Sequence, residues 1–285
     1  MPLATLTLAD DLTVTRMGYG AMQLAGPGVF GPPKDRAGCI AVLRKAVELG
    51  VTHIDTSDFY GPFVVNEIIK EALHPYPADL RIVTKVGAVR GEDGSWNPDQ
   101  SREGLTAAVH SNLKNLGVEA LDVVNLRVGH PLAVADEPIT EPFAVLADLQ
   151  KQGLIRHLGV SNVTSDQLTD VQSIAPVVTV QNLYNIANRN DDDLVDRCAR
   201  EGIGFTPFFP LGGGISPLQS KILDQAAEQL NATTRQIALA WLLHRSPTML
   251  LIPGTASIDH LHENMAAASL ELPADALEDL NAIGK

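Results

Sequence analysis

Val51-Thr52-His53-Ile54-Asp55-Thr56-Ser57-Asp58-Phe59-Tyr60-Gly61 is a short apolar run that stops at a carboxylate and is followed, five positions on, by a phenol. A run of this length suits a buried strand with Asp55 at its carboxyl end and Tyr60 on the loop beyond. In barrels and open α/β sheets that end of a strand carries the chemistry, so both side chains could face one mouth. The plainer reading makes Ser57 or Asp58 the N-cap of a following helix.

Working outward, residues 35–49 place Ile40, Leu43, Ala46 and Val47 at helical spacing, and Gly50 stops that helix just before the strand. The same helix-glycine-strand step recurs at Gly117, Gly153 and Gly202, ahead of expected strands at 121–126, 154–160 and 203–208. Helices at 64–73, 165–173 and 234–244 precede strands at 81–86, 176–180 and 249–252. Counting from a strand at 16–20, eight strands alternate with helices. Parallel strands need a crossover and bury both faces, which is what such alternation describes. The pattern predicts a (β/α)8 TIM barrel. Residues 3–8 and 12–15, flanking Ala9-Asp10-Asp11, read as an N-terminal β-hairpin. An open doubly wound sheet is the runner-up; against it, Gly18 and Gly20 run into Ala21-Met22 and make no G-x-G-x-x-G turn. No linker or low-complexity tract interrupts residues 1–285, which read as one domain.

The net charge of −13 sets most of the surface against phosphate backbones and anionic membranes, so neither nucleic acid nor a membrane is expected as a partner. No apolar run approaches the ~20 residues of a membrane span. Cys39 and Cys198 are too few for a disulfide framework, and the start lacks the basic-then-apolar pattern of a signal peptide. The cytoplasm fits best. The oligomeric state is not legible.

What the expected strands carry at their carboxyl ends is the informative test. The second gives Asp55 with Tyr60 beyond, the third Lys85, and the fourth reaches His130. The fifth ends in Ser161-Asn162, the sixth in Gln181-Asn182, the seventh in 206–210, and the eighth runs into Pro253-Gly254-Thr255. Each has an ordinary reading as rim charge, surface histidine or helix cap. Their coincidence on one rim is the argument. Asp55, Tyr60, Lys85 and His130 suit proton donation to a carbonyl oxygen: a lysine ammonium favours the phenolate and lowers a pKa of ~10 by ~1–3 units. Asp55 keeps Lys85 charged, and His130 orients the carbonyl. None of the four can supply a hydride, so a nicotinamide is required.

With these residues in order, the chain resembles the aldo-keto reductase superfamily over essentially its whole length. The segments carrying the likeness are 55–61, Thr84-Lys85, Leu121-Asp122 through His130, 159–162, Gln181-Asn182, Pro210-Leu211-Gly212, and 252–255 through Glu263-Asn264. Within it, 18–26 and Val124-Asn125-Leu126-Arg127 are most similar to bacterial reductases of the pyridoxal reductase type. The resemblance implies an NADPH-dependent reductase of a small aldehyde or ketone, with NADH as the weaker alternative and pyridoxal as the best single substrate. It implies Tyr60 as the acid, Lys85 and Asp55 as its tuning pair, and His130 as the carbonyl's guide. It also implies a carboxamide site at Ser161, Asn162 and Gln181, and an aromatic stack at Phe208. A pyrophosphate loop would comprise Pro210, Leu211, Gly212 and Gly213, with Phe209 beside it in the cofactor site. Gly254, Thr255, Ser257, His260, His262, Glu263 and Asn264 would meet the adenosine 2′-phosphate and adenine, with Pro253 leading into them in the cofactor site. Gly20 and Met22 complete the implied cofactor site. Two departures stand out. Arg127-Val128-Gly129-His130 stands where the family has an apolar run into His, and Gly254 and His260 stand where it often has Lys and Arg.

Phe30, Phe59, Phe63 and Trp96 fall in loops expected at the same rim and read equally as a wall for a flat aromatic aldehyde and as packing residues, and the short tail after a helix at 274–283 is expected to leave the pocket open. Two rivals belong to other classes: a nicotinamide-binding regulatory subunit with little turnover, and a metal-dependent barrel hydrolase using His53, Asp55 and His130.

Overall fold

The structure is a computed structural model describing residues 3–129, 135–213, 218 and 220–284. Strands β1 (Thr5–Ala9) and β2 (Leu12–Thr15) pair antiparallel as the expected hairpin. Leu12 and Val14 pack with Val83, Val123, Val178 and Leu250 in a small apolar cluster. These last four come from the strands that follow, so the hairpin plugs one end of the barrel and leaves the other for chemistry. The chain continues through β3 (Tyr19–Gly20), α1 (Arg36–Glu48), β4 (His53–Asp55), α2 (Val64–Leu73), β5 (Arg81–Val86), β6 (Ala88–Arg90) and β7 (Trp96–Pro98). Next come α3 (Arg102–Leu116), β8 (Leu121–Arg127), α4 (Thr140–Lys151), β9 (Ile155–Ser161), α5 (Ser165–Gln172) and β10 (Val177–Gln181). The last elements are α6 (Asp192–Glu201), β11 (Gly204–Phe205), α7 (Lys221–Leu230), α8 (Thr234–Arg245), α9 (Ile258–Ala266) and α10 (Ala274–Leu280).

Seven parallel strands lie in the order β11-β10-β9-β8-β5-β4-β3. The expected eighth strand, 249–252, makes bridges and no ladder: Met249 pairs with Phe205 at one edge, Leu251 with Met17 at the other. Leu250 N donates to Phe205 O at 2.8 Å and Leu251 N to Arg16 O at 2.8 Å, so this segment joins both edges and closes the (β/α)8 barrel. The strands expected at 16–20 and 203–208 are likewise cut to two residues each, β3 and β11. All three flank the seam. There Gly20 and Gly254 pass so closely that a Cβ on Gly20 would meet Ile252 O at 2.4 Å. Only glycine allows that approach.

Between strands, the turn chemistry is ordinary and explains the element limits. Ser101 caps α3 by accepting from Gly104 N, and Gly117 ends it at φ +71°. Thr164 and Gln167 form a capping box on α5, and Thr233 and Gln236 form another on α8. Gly50, Gly153 and Gly202 also sit at positive φ, as stop residues between helix and strand must. The β6–β7 hairpin, α7 and α9 are elements the sequence patterns did not mark.

Candidate active site

Parallel register sets the rim. Asp55 lies level with Gly20 on one side and Val83 on the other; Lys85 lies level with Asn125, and Arg127, Ser161 and Gln181 share a further row. Strand tilt brings these rows around one mouth.

At its centre, Lys85 Nζ donates to Asp55 Oδ1 at 2.7 Å and to Thr56 O at 2.9 Å. Both side chains are about 95% buried, at 5% and 4% exposure. The lysine is therefore no solvated rim charge. Asp55 Oδ2 accepts from Gln181 Nε2 at 2.9 Å. The Tyr60 ring, also buried, has Lys85 Nζ 5.2 Å from its centroid. Burial would discharge Lys85, but Asp55 and Tyr60 together hold its pKa above the ordinary lysine value. For Tyr60 the balance differs from the expectation. Burial raises the phenol's pKa, and the opposing pull of Lys85 and Arg127 does not bring it below the ordinary value. The sequence argument counted the cation and omitted the desolvation.

The loop carrying Tyr60 is clamped from behind. Asp58 Oδ1 accepts from Asn66 and Asn115, and Oδ2 from Ser111. Asn66 and Thr84 both donate to Asn112, and Thr56 donates to Asn66. This network ties β4, β5, α2 and α3 to the loop. It also disposes of the N-cap reading: α2 starts after Phe63 without a side-chain cap, and Ser57 donates to Lys85 O.

Ser161 and Asn162 do not cap α5 either, since Thr164 does. Ser161 is buried and its Oγ accepts from Arg127 Nη1 at 3.1 Å. Asn162 is buried at φ +66° and donates to Val128 O. Gln181 Oε1 is a buried acceptor with no described partner. Phe208 and Phe209 meet edge to face at 5.5 Å, and Phe209 sits at φ +54°. Left-handed non-glycine residues cost ~1–3 kcal/mol each and persist where the surroundings impose them; Phe63, Asn162 and Phe209 all lie on this rim. Pro210 is buried, Leu211 is half-buried, and the Phe209–Gly212 turn is closed by Gly212 N to Phe209 O.

Farther along, Met22 is half-buried in a short turn beside buried Gly20. Pro253 and Thr255 are buried, with Thr255 O accepting from Tyr19 at 2.5 Å, and Gly254 is exposed. Ser257 caps α9 by accepting from His260 N. His260 and His262 are exposed, Asn264 is buried, and Glu263 accepts from Thr233 Oγ1 at 2.7 Å. His130, the fourth expected catalytic residue, lies outside the described residues.

Of the four aromatics expected to wall the pocket, Phe59 and Trp96 pack with Tyr60: Trp96 lies 5.6 Å from Phe59 and 6.5 Å from Tyr60, edge to face. The β6–β7 hairpin delivers Trp96, and Arg90 fixes it, stacked 3.9 Å from its ring while donating to Val29 O and Gly94 O. Phe30 lies across the same guanidinium at 5.3 Å, and Phe63 is half exposed. Sequence reasoning missed Arg90, the Asp58 network and Arg127 as parts of the site. A cation at the carboxyl end of a mostly apolar strand was the available signal for Arg127. Among the described residues no three His, Cys, Asp or Glu side chains gather as a metal site. His53 is buried beside Gly18, and burial pushes its pKa down to about 4.

The family model described as "Aldo/keto reductase family" matches residues 16–285. Pyridoxine 4-dehydrogenase of Escherichia coli (strain K12) is 58% identical over 283 residues, covering 99% of this chain and 98% of its own. A thermostable aldo-keto reductase solved with the inhibitor epalrestat superposes at a TM-score of 0.84 with 27% identity, covering 99% of this chain and 100% of that one. An aldo/keto reductase from Klebsiella pneumoniae, solved with NADP and acetate, gives 0.80 with 25% identity over 98% and 94%. Fold and matches together define an NAD(P)H-dependent oxidoreductase on a (β/α)8 barrel. The chain belongs to the aldo/keto reductase family.

Proposed function

We propose that this chain reduces an aldehyde to its alcohol with NADPH, that Tyr60 is the general acid, and that pyridoxal is a substrate, giving pyridoxine. The single observation carrying this reading is the buried Lys85–Asp55 pair, held at 2.7 Å beside the Tyr60 ring. The substrate rests on the 58% identity to pyridoxine 4-dehydrogenase.

The residues at hand fit a nicotinamide. Gln181 Oε1 is a buried acceptor with no donor among the described residues, and a carboxamide N–H would provide one. Ser161 and Asn162 stand beside it, and Phe208 offers a ring at the same rim. For the adenosine end, exposed His260 and His262 lie on α9, whose N-terminus attracts an anion such as a 2′-phosphate. NADPH is preferred on that ground, with NADH as the poorer cofactor. Bound NADPH supplies the hydride that the carbonyl carbon gains.

The protein's part is the proton. Tyr60, kept protonated by burial, donates its hydroxyl proton to the carbonyl oxygen as that oxygen becomes an alkoxide. Lys85 stabilises the phenolate left behind, and Asp55 keeps Lys85 charged and aimed. Phe59 and Trp96 exclude water from one side of the reacting oxygen. The same reading takes residues 1–285 as one domain, supported by a core cluster running from Met17 to Leu280.

Tyr60→Phe should lower NADPH-dependent pyridoxal reduction by ~10²–10⁴-fold, the contribution of a general acid, while NADPH binding measured by fluorescence stays within about twofold. Undiminished turnover would remove the acid. Tight NADPH binding with no turnover of any aldehyde by the unmodified chain would favour a regulatory subunit.

A further inference from the structure

Arg127 ends β8 level with Ser161, and the proton-donating machinery gives it no task. Among the described residues its guanidinium donates one hydrogen bond, to Ser161 Oγ at 3.1 Å, and it lies 5.0 Å from the centre of the Phe208 ring. Its charge also reaches Tyr60, whose phenol it draws toward ionisation. Among the described residues no carboxylate pairs with it, whereas the neighbouring cation, Lys85, is committed to Asp55 and Thr56 O. Burial pushes the Arg127 pKa down to about 10, which leaves it charged near neutral pH.

A half-buried guanidinium that has traded water for one neutral hydroxyl retains most of its five N–H donors and its preference for an oxyanion. The planar fork accommodates two oxygens side by side, which an ammonium does not. Tyr60, which its charge reaches, packs edge to face with Trp96, and that aromatic wall suits a flat ring.

We propose that Arg127 receives the substrate's oxygens, binding the carbonyl oxygen together with an ionised hydroxyl on the adjacent ring carbon, and so selects aromatic aldehydes carrying that ortho pair. The proposal rests on the aldehyde-reductase reading and deepens it; pyridoxal is one aldehyde with this arrangement. The opposing reading makes Arg127 a strut for Ser161. That role would affect the cofactor side and would treat all aldehydes alike.

The test compares 2-hydroxybenzaldehyde, 3-hydroxybenzaldehyde and benzaldehyde on the NADPH-loaded enzyme, using the unmodified chain, Arg127→Lys and Arg127→Gln. Losing a charged hydrogen-bond donor costs ~10–100-fold. Arg127→Gln should lose that much kcat/KM on the 2-hydroxy aldehyde and far less on the other two. Arg127→Lys, which keeps the charge and loses the fork, should fall between. In the unmodified enzyme the ortho preference should fade as pH drops below the substrate phenol's own pKa. A second arm measures the calorimetric Kd of 2-hydroxybenzaldehyde for the NADP⁺-loaded protein, which reads binding without turnover. An unmodified enzyme that reduces no aldehyde but binds this one in an Arg127-dependent way would sink the reductase reading and keep the oxygen site. Equal losses on all three aldehydes together with weaker NADPH binding, or an unchanged Kd in both variants, would overturn the proposal.

Discussion

Replacing Asp55 with Asn removes the charge that Lys85 was buried against and leaves almost everything else in place. The asparagine carbonyl can still accept from Gln181 Nε2, and Thr56 O still accepts from Lys85. What is lost is a 2.7 Å ion pair whose members are only 5% and 4% exposed. Breaking a pair this deep strands a buried charge and costs ~3–5 kcal/mol; the surviving Thr56 bond puts Asp55→Asn near the lower end. Against a total stability of ~5–15 kcal/mol that is easily measured. The loss also carries a pH signature. Without Asp55 the burial of Lys85 goes largely unopposed, so its folded pKa falls below the unfolded value near ~10.4 and the native state binds fewer protons than the unfolded one in that window. Variant stability therefore rises with pH there, while the unmodified protein, whose Lys85 pKa is raised, gains nothing until higher pH and then loses stability. Urea unfolding followed by far-UV circular dichroism at about pH 7 and about pH 9.5 should show the gap between the two proteins narrowing. Lys85→Met and the double variant close a cycle in which the double loss is smaller than the sum. A loss under ~1 kcal/mol at both pH values, with no coupling in the cycle, would mean that the pair is not buried as the structure has it.

Two further outcomes follow from particular atoms. Gly20→Ala puts a Cβ 2.4 Å from Ile252 O across the barrel seam, where neither backbone can yield cheaply; a loss of ~1–3 kcal/mol is expected, and an unchanged thermal midpoint would refute the close approach. His53, with its folded pKa near 4, binds fewer protons folded than unfolded between about pH 4 and the unfolded value of ~6.5, so the stability it contributes is full above that range and falls as pH drops through it, by ~3 kcal/mol in all. His53→Gln should flatten the slope of urea midpoint against pH over that window, and an unaltered slope would show that His53 is not the group responsible.

Glycine punctuation made most of the barrel legible. Gly50, Gly117, Gly153 and Gly202 each sit at positive φ between a helix and a strand, and a local backbone requirement of that kind shows in any single sequence. The seam was less legible, because 16–20, 203–208 and 249–252 read as strands by apolar content while the tilt of closure leaves them short ladders or bridges. Among site residues, Asp55, Tyr60 and Lys85 could be grouped because strand ends of a barrel share one mouth. Arg90, Asp58 and Arg127 could not. The stacking of Arg90 on Trp96 depends on a hairpin folding back, the Asp58 partners come from 53 and 57 residues away, and the pairing of Arg127 with Ser161 is a matter of register between β8 and β9.

The charges at the mouth are arranged differently from those of the whole chain. The protein carries −13, yet at the described rim Lys85 is balanced by Asp55 and Tyr60 is held neutral by burial. Arg127 therefore leaves a local positive charge in a low-dielectric recess, where it acts at short range and is only weakly screened by salt. An acidic protein can thus admit an oxyanion at one point while repelling polyanions elsewhere. The protonation states also agree with one another. A phenol raised by burial stays a donor, an ammonium raised by its carboxylate stays a cation, and an arginine lowered to about 10 is still charged. Across neutral pH none of these three groups changes state, so with Tyr60 as the proposed acid a pH dependence seen in reduction near neutrality belongs to the substrate or to groups outside this cluster.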